Sequence, residues 1–149
     1  MKYPIGIQDF EKIIEDGYVY VDKTELVYKL ANEGHIYFLC RPRRFGKSLL
    51  ISTLKYYFQG RKDLFRGLAI DKLETKWAEY PVFHLSFGSA NFTKHGTLDE
   101  VIDNYLADFE NDYPTNTKPR DFGIRFASIL KAAHKKTGRR AVVLIDEYD

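Results

Sequence analysis

The sequence predicts an α/β domain with a largely parallel sheet, because amphipathic helices alternate along the chain with apolar strands. The clearest helix begins at Thr97, which forms a capping box with Glu100, and an apolar stripe at helical spacing follows it. Residues 141–145 form a continuous aliphatic run, the pattern of a strand buried on both faces. Residues 81–87 predict another buried strand, opened by Pro81 at a position that proline tolerates.

The N-terminal part of the chain predicts a short helix followed by a short strand. Phe10 and Ile13 share a face of the helix, and Gly17 ends it. Residues 18–21 have the aromatic and β-branched composition of a strand.

A second helix is predicted to begin after Asp22. Asp22 stands at the N-cap position and Glu25 follows three residues later, as in a capping box. Gly34 is expected to end this helix in the left-handed conformation. From the spacing alone, a capping role of Asp22 and Thr24 is favoured over a ligand role.

Residues 36–48 have the layout of a phosphate-binding P-loop. Residues 36–40 are an apolar run of strand-like composition, and the turn after them ends in Gly46, Lys47 and Ser48, where a helical pattern starts. In such a loop the backbone N–H groups and the positive end of the helix face phosphates, the lysine supplies a charge, and the hydroxyl ligates Mg²⁺. The usual first glycine is Arg41 here, and the alternative is a strand-to-helix turn in which the tripeptide is accidental.

Beyond the helix that is predicted to end near Gly60, the signals are structural rather than functional. Residues 61–80 fit short helices or a loop equally well, and Trp77 is interpreted as a core residue rather than a base-stacking platform. His84 has no second histidine or cysteine at ligand spacing, so we interpret it as a core-edge residue and not a metal ligand.

The last predicted helix begins at about Asp121 and ends in a basic run. Lys135 and Lys136 precede Gly138, which is the expected order of cations and glycine at a helix C-terminus. Compensation of the helix dipole therefore explains this run more simply than a nucleic-acid-binding patch.

An acidic pair, Asp146 and Glu147, directly follows the predicted strand of residues 141–145. Ligands of open α/β sheets bind beyond the carboxyl ends of the strands. Two carboxylates at the end of a buried strand cost free energy, so their presence there indicates a function. In a P-loop enzyme the aspartate helps to hold Mg²⁺, and an adjacent glutamate can orient or deprotonate the attacking water. The alternative is a strand that merely exits into solvent through polar residues.

Composition narrows the class of protein. The chain has 149 residues, which fits one domain, and a net charge of +2, which offers no global argument for nucleic-acid binding. Its single cysteine, Cys40, rules out an internal disulfide framework. No apolar run is long enough to span a bilayer and no signal peptide is visible, so a cytoplasmic protein without a membrane partner is expected.

Together these motifs resemble the predicted AAA-ATPase family of bacteria and archaea, an AAA-ATPase-like domain often followed by a nuclease-like domain of the PD-(D/E)XK type. The resemblance rests on residues 20–24, 41–49, 80–82 and 143–149, which span nearly the whole chain. In that family the arginine-bearing loop is the usual form of the motif, so Arg41 does not argue against the assignment.

The resemblance implies a P-loop NTPase fold: a three-layer α/β/α sandwich with a mostly parallel sheet of the additional-strand type, incomplete at the C-terminus. It implies catalytic roles for Lys47 and Glu147, and Mg²⁺ contacts for Ser48 and Asp146. It implies a set of nucleotide-binding residues, namely Arg43, Arg44, Phe45, Gly46, Lys47, Ser48 and Leu49. More weakly, it suggests that residues 22–24 lie near the nucleotide.

The resemblance also implies a domain organisation. Residues 1–149 are expected to be the N-terminal part of one AAA-ATPase-like domain, with residues 1–35 as a lead-in and residues 36–149 as the P-loop core up to the acidic strand. Family members continue past this point, and a later strand lies between the loop-bearing strand and the acidic strand. We therefore expect an incomplete reading frame or a fragment, inactive or weakly active by itself.

The function expected from the sequence is an ATP-binding and ATP-hydrolysing module of a larger bacterial or archaeal protein, with ATP and Mg²⁺ as cofactors. ATP rather than GTP is implied by the resemblance alone, as is a nuclease-like domain in the full-length chain. The alternative is a non-hydrolysing nucleotide-dependent switch or interaction scaffold. Nucleic-acid binding through Arg41, Arg43 and Arg44 ranks below both.

Overall fold

The computed structural model of the chain describes residues 1–42, 44–88, 97–116 and 121–147. Contacts between α-carbons divide the chain into two units, Met1–Glu79 and Tyr80–Asp149. Each unit has a hydrophobic core of its own.

The first unit consists of helices and loops, without a strand among its described residues. Its elements are α1 (Phe10–Glu15), α2 (Thr24–Glu33), α3 (Lys47–Phe58), a 3₁₀ helix (Lys62–Phe65) and α4 (Ala69–Leu73). Phe10 and Phe65 are fully buried at the centre of the core, with ring centroids 4.8 Å apart. Trp77 packs 5.3 Å from the ring of Phe65, in agreement with its interpretation as a core residue.

Two strands predicted in this unit are not present. Residues 18–21 form no ladder, and the N–H groups of Tyr18 and Val19 instead donate to the carbonyl groups of Ile13 and Lys2. Residues 36–40 also lie outside any strand. Apolar and β-branched composition favours a strand only where a neighbouring strand supplies hydrogen-bond partners.

The predicted N-cap at Asp22 and its capping box with Glu25 are wrong, because α2 begins one residue later and its N-cap has no side-chain cap hydrogen bond. The N-cap of α2 is Lys23, and Asp22 Oδ1 accepts hydrogen bonds from the N–H group (2.9 Å) and the hydroxyl group (2.7 Å) of Thr24. Asp22 Oδ2 also accepts from the N–H group of Ala69 at 2.7 Å, and the Thr24 hydroxyl accepts from Ile70 at 3.1 Å. These two side chains therefore join the N-termini of α2 and α4.

The predicted left-handed end of α2 is wrong. Gly34 follows the helix with φ −157° and ψ −179°, which is extended backbone. The chain therefore leaves α2 without the turn that a left-handed glycine would make.

The second unit is a mixed α/β structure with a small parallel sheet. Its elements are β1 (Val82–Ser86), α5 (Thr97–Asp112), α6 (Phe122–Thr137) and β2 (Val142–Asp146). The two strands pair in parallel, from Val82 opposite Val142 to Ser86 opposite Asp146. Both strands and the parallel sheet were predicted from the sequence, and α6 ends at Gly138 with φ 68°, as its final residues predicted.

The core of the second unit is centred on Phe83, which is fully buried between the two helices. Its ring lies 4.9 Å from that of Phe109 on α5 and 5.9 Å from that of Phe126 on α6. Because this packing is centred on β1, the neighbouring strand is less covered: Val143 and Ile145 of β2 are 39% and 48% exposed. The prediction that this strand is buried on both faces is therefore wrong.

No helix in the described part of the chain is long and apolar enough to cross a membrane.

Candidate functional site

The loop before α3 turns through two left-handed residues. Arg44 has φ 68° and Gly46 has φ 73°, whereas Arg41 does not have a positive φ. The left-handed region costs a non-glycine residue about 1–2 kcal/mol, and such strain is concentrated at functional sites. The glycine that the usual motif has at position 41 is thus not required here, because the chain turns at positions 44 and 46. Arg43 lies outside the described residues.

The N-terminus of α3 can hold an anion. The helix begins at Lys47, and its N-cap, Gly46, has no side chain to accept the first N–H groups. The first intrahelical bond runs from Leu50 to the carbonyl group of Gly46 at 3.0 Å, so the N–H groups of Lys47, Ser48 and Leu49 precede it. These donors and the positive end of the helix dipole favour a phosphate at this position.

Polar contacts fix α3 to the N-terminal helix. Ser52 Oγ accepts from the N–H group of Phe10 at 2.9 Å and donates to Asp9 Oδ2 at 3.3 Å. The Tyr56 hydroxyl lies 3.1 Å from Asp9 Oδ2 and 3.0 Å from Glu11 Oε2. Burial and these carboxylates raise the pKa of Tyr56 above the usual phenol value, so the hydroxyl stays a donor. Hydrogen bonds therefore join the helix that carries the loop to the N-terminal helix.

Asp146 lies at the carboxyl end of both parallel strands. It is 8% exposed and pairs in register with Ser86. Its Oδ1 atom accepts a hydrogen bond from the N–H group of Glu147 at 3.0 Å, and its carbonyl group accepts one from Phe87 at 3.1 Å. A buried carboxylate is costly unless a cation or donors compensate it, so this position suits an oxygen ligand of a metal ion.

Glu147 turns sharply away from the end of β2. Its backbone is left-handed, with φ 53°, and its side chain is exposed. The carboxylate lies directly against Gly88, where a side chain on that glycine would collide with it. An exposed carboxylate beside a buried one can accept a proton from water.

The structure thus gathers the predicted site residues into two groups, each within its own unit. The residues from Arg44 to Leu49 lie at the N-terminus of α3 in the first unit, and the acidic pair lies at the end of the sheet in the second. The sequence did not predict two features, the left-handed turn at Arg44 and the contact of Gly88 with Glu147. No local sequence signal marks the turn at Arg44. The contact could have been predicted, because a glycine just after a strand often marks a place where another group approaches the backbone closely.

Comparison with known proteins identifies the family of the chain. A family model described as predicted AAA-ATPase matches residues 4–149. The chain belongs to this AAA-ATPase-like family. The family predicted from the sequence motifs is therefore confirmed.

The AAA-ATPase-like chain is also similar to a longer protein. An uncharacterized protein in the vnfD 5' region of Azotobacter chroococcum mcd 1 is 42% identical over 149 residues. The match covers 99% of this chain and 29% of that relative, so this chain spans less than a third of the longer protein. No solved structure matches the chain.

Proposed function

We propose that this chain is the ATP-binding and ATP-hydrolysing P-loop module of a larger protein. The observation that carries the proposal is the N-terminus of α3, where N–H groups without a side-chain cap follow a left-handed turn and Lys47 is the first helical residue. Membership of the AAA-ATPase-like family supports nucleotide binding. The complete domain is proposed to be a three-layer P-loop sandwich, of which β1 and β2 are neighbouring parallel strands.

The loop residues are proposed to bind phosphate through both side-chain charges and backbone N–H groups. Lys47 supplies a point charge to the β- and γ-phosphates, and Arg44 adds a second cation beside the turn. Backbone N–H groups at the start of α3 donate to the phosphate oxygens. The proposed nucleotide-binding residues are Arg43, Arg44, Phe45, Gly46, Lys47, Ser48 and Leu49.

Two oxygen-bearing side chains are the proposed contacts of a magnesium ion. Mg²⁺ takes hard oxygen ligands, which the Ser48 hydroxyl and the Asp146 carboxylate are. When bound, the ion neutralises charge on the β- and γ-phosphates. Asp146 and Ser48 are therefore the proposed metal contacts.

Glu147 is the proposed proton acceptor. It orients the attacking water and takes a proton as the water oxygen bonds to the γ-phosphorus and the bond to the β–γ bridging oxygen breaks. The products are ADP and inorganic phosphate. The exposed position of the Glu147 carboxylate, beside the buried Asp146, supports this division of roles.

Phosphate release and ATP binding in the full-length protein test these roles. Glu147→Gln keeps the side-chain shape and is expected to spare ATP binding while lowering turnover about 10²-fold or more. Lys47→Ala is expected to abolish binding, and Lys72→Ala is its matched control, because Lys72 is an exposed lysine elsewhere in the first unit. Hydrolysis by Glu147→Gln at the parent rate would refute the role of Glu147. ATP binding without any phosphate release by the parent protein would favour the alternative, a non-hydrolysing switch.

A further inference from the structure

The edge of the second unit where its strands begin carries a dense group of exposed cations. From Phe122 to Ile145 the chain has no aspartate or glutamate. One of its cations, Arg125, is buried and paired with Glu110 at 2.8 Å. The others are exposed and are here called the basic edge: Lys131, Lys135, Lys136, Arg139 and Arg140.

The fold holds these cations on one side of the unit. Lys131, Lys135 and Lys136 lie in the last two turns of α6, and Arg139 and Arg140 connect that helix to β2. This connection lies beside the start of β1, because the N–H group of Val142 donates to the carbonyl group of Pro81 at 2.9 Å.

Aromatic rings position two of the cations while leaving them exposed. The Arg139 guanidinium lies 5.5 Å from the ring centroid of Tyr80. The Lys136 Nζ atom lies 5.3 Å from the ring centroid of Tyr113 and donates to the carbonyl group of Asp112 at 2.9 Å. Such contacts reduce the freedom that each side chain would lose on binding a ligand.

The positive charge at this edge exceeds what is needed to compensate the dipole of α6. The C-terminus of a helix carries the equivalent of about −0.5 elementary charge, which one cation outweighs. None of the ion pairs between described residues includes a member of the basic edge. Asp112, whose backbone carbonyl group accepts from Lys136, adds one negative charge at most. Compensation of the helix dipole, which the sequence favoured, therefore explains only part of this cluster.

We propose that the basic edge binds the phosphate backbone of duplex nucleic acid without sequence preference. Duplex DNA presents a dense line of negative charge, which closely spaced lysine and arginine side chains can neutralise. An anionic membrane fits less well, because residues 129–142 expose no large apolar side chain that could insert into it. The basic edge and the acidic pair lie at opposite ends of β2, so this surface is separate from Asp146 and Glu147.

Fluorescence anisotropy of a labelled DNA duplex of unrelated sequence tests the proposal in the full-length protein without nucleotide. With three to five phosphate contacts, the logarithm of the binding constant should fall against the logarithm of salt concentration with a slope of about −2.7 to −4.5. The triple variant Lys135→Gln, Arg139→Gln, Arg140→Gln should bring that slope about 2.7 closer to zero and weaken binding at least about tenfold at low salt.

The control triple variant removes the same charge from the first unit. It is Lys29→Gln, Lys72→Gln, Lys76→Gln, at three exposed positions, and it should bind duplex like the parent protein. No binding of duplex by the parent protein at about 50 mM salt would overturn the proposal. Equal losses in the two triple variants would also overturn it, as would binding to anionic phospholipid vesicles without binding to DNA. If the triple variant fails to fold, the single variant Arg140→Gln at an exposed position should bring the slope about 0.9 closer to zero, and an unchanged slope would overturn the proposal. ATP affinity tests the proposed function separately.

Discussion

The carboxylate of Glu147 lies directly against the α-carbon of Gly88, at the end of the paired strands β1 and β2. A side chain at position 88 would occupy the position of that carboxylate, so the exposed Glu147 side chain would have to move. The place of the proposed proton acceptor thus depends on a residue just beyond the end of β1.

Gly88→Ala should move the Glu147 carboxylate and lower ATP turnover. A displacement of about 1 Å can cost up to about 10²-fold in rate, so we expect a loss of about 10- to 100-fold in phosphate release, with ATP affinity little changed. Gly123→Ala is the matched control, because a β-carbon there would meet only Asp121 Oδ1 at 3.2 Å. If Gly88→Ala released phosphate at the rate of the parent protein, this contact would not determine the position of Glu147.

Gly46→Ala should weaken ATP binding through the backbone. The added β-carbon would meet no atom within 4 Å, but φ 73° is a conformation that alanine adopts at a cost of about 1 kcal/mol or more. The variant is expected to relax the turn and misdirect the N–H groups of α3. Gly67→Ala carries the same strain, with φ 79° and no close atom, away from this loop. Equal effects of the two variants on ATP affinity, measured by titration, would contradict the role of the loop.

Arg125 should be important for the stability of the second unit. Its side chain is 11% exposed and its partner Glu110 is 10% exposed, so Arg125→Ala would leave a buried carboxylate without its cation. Removing one partner of such a pair costs about 3–5 kcal/mol. Asp103, the other partner, is 59% exposed, and Asp103→Asn should cost less than about 1 kcal/mol. Urea denaturation measures both variants, and similar midpoints for the two would argue against this ranking.

Asp22 should make stability depend on acidic pH. Burial raises the pKa of Asp22, but hydrogen bonds from the backbone and hydroxyl groups of Thr24 and from Ala69 outweigh it and lower the pKa below its usual value. The stabilisation is therefore present above the unfolded pKa of about 3.9 and is lost as pH falls through the folded pKa.

Asp22→Ala tests this dependence by thermal unfolding. At neutral pH the loss of the hydrogen bonds to Thr24 and Ala69 should cost about 1–3 kcal/mol, and the difference from the parent protein should narrow below about pH 4. Asp16→Ala is the control, since Asp16 is exposed at the end of α1. A difference that stays constant from neutral to acidic pH would count against the ionised Asp22 as the acceptor of these hydrogen bonds.

Local patterns in the sequence were sufficient for much of the second unit. The aliphatic run before Asp146, the proline before β1 and the glycine after α6 are short-range signals, and each element formed within one residue or so of its prediction. The family was also recognisable, because its motifs depend on residue identity rather than on packing.

Several of the failures have a common physical reason. Residues 18–21 and 36–40 have strand-like composition, but a strand forms only with hydrogen-bond partners that local sequence does not specify. The contact of Glu147 with Gly88 similarly depends on the register of two strands far apart in sequence. Arg44 adopts a left-handed backbone conformation that arginine rarely adopts, so the preferences of single residues did not predict this turn.

Calorimetric titration of ATP into the full-length protein, first with Mg²⁺ and then with a chelator in its place, tests the central claim most directly. The proposed contacts of Ser48 and Asp146 predict saturable binding with Mg²⁺ and clearly weaker binding without it. No ATP binding under either condition would contradict the account.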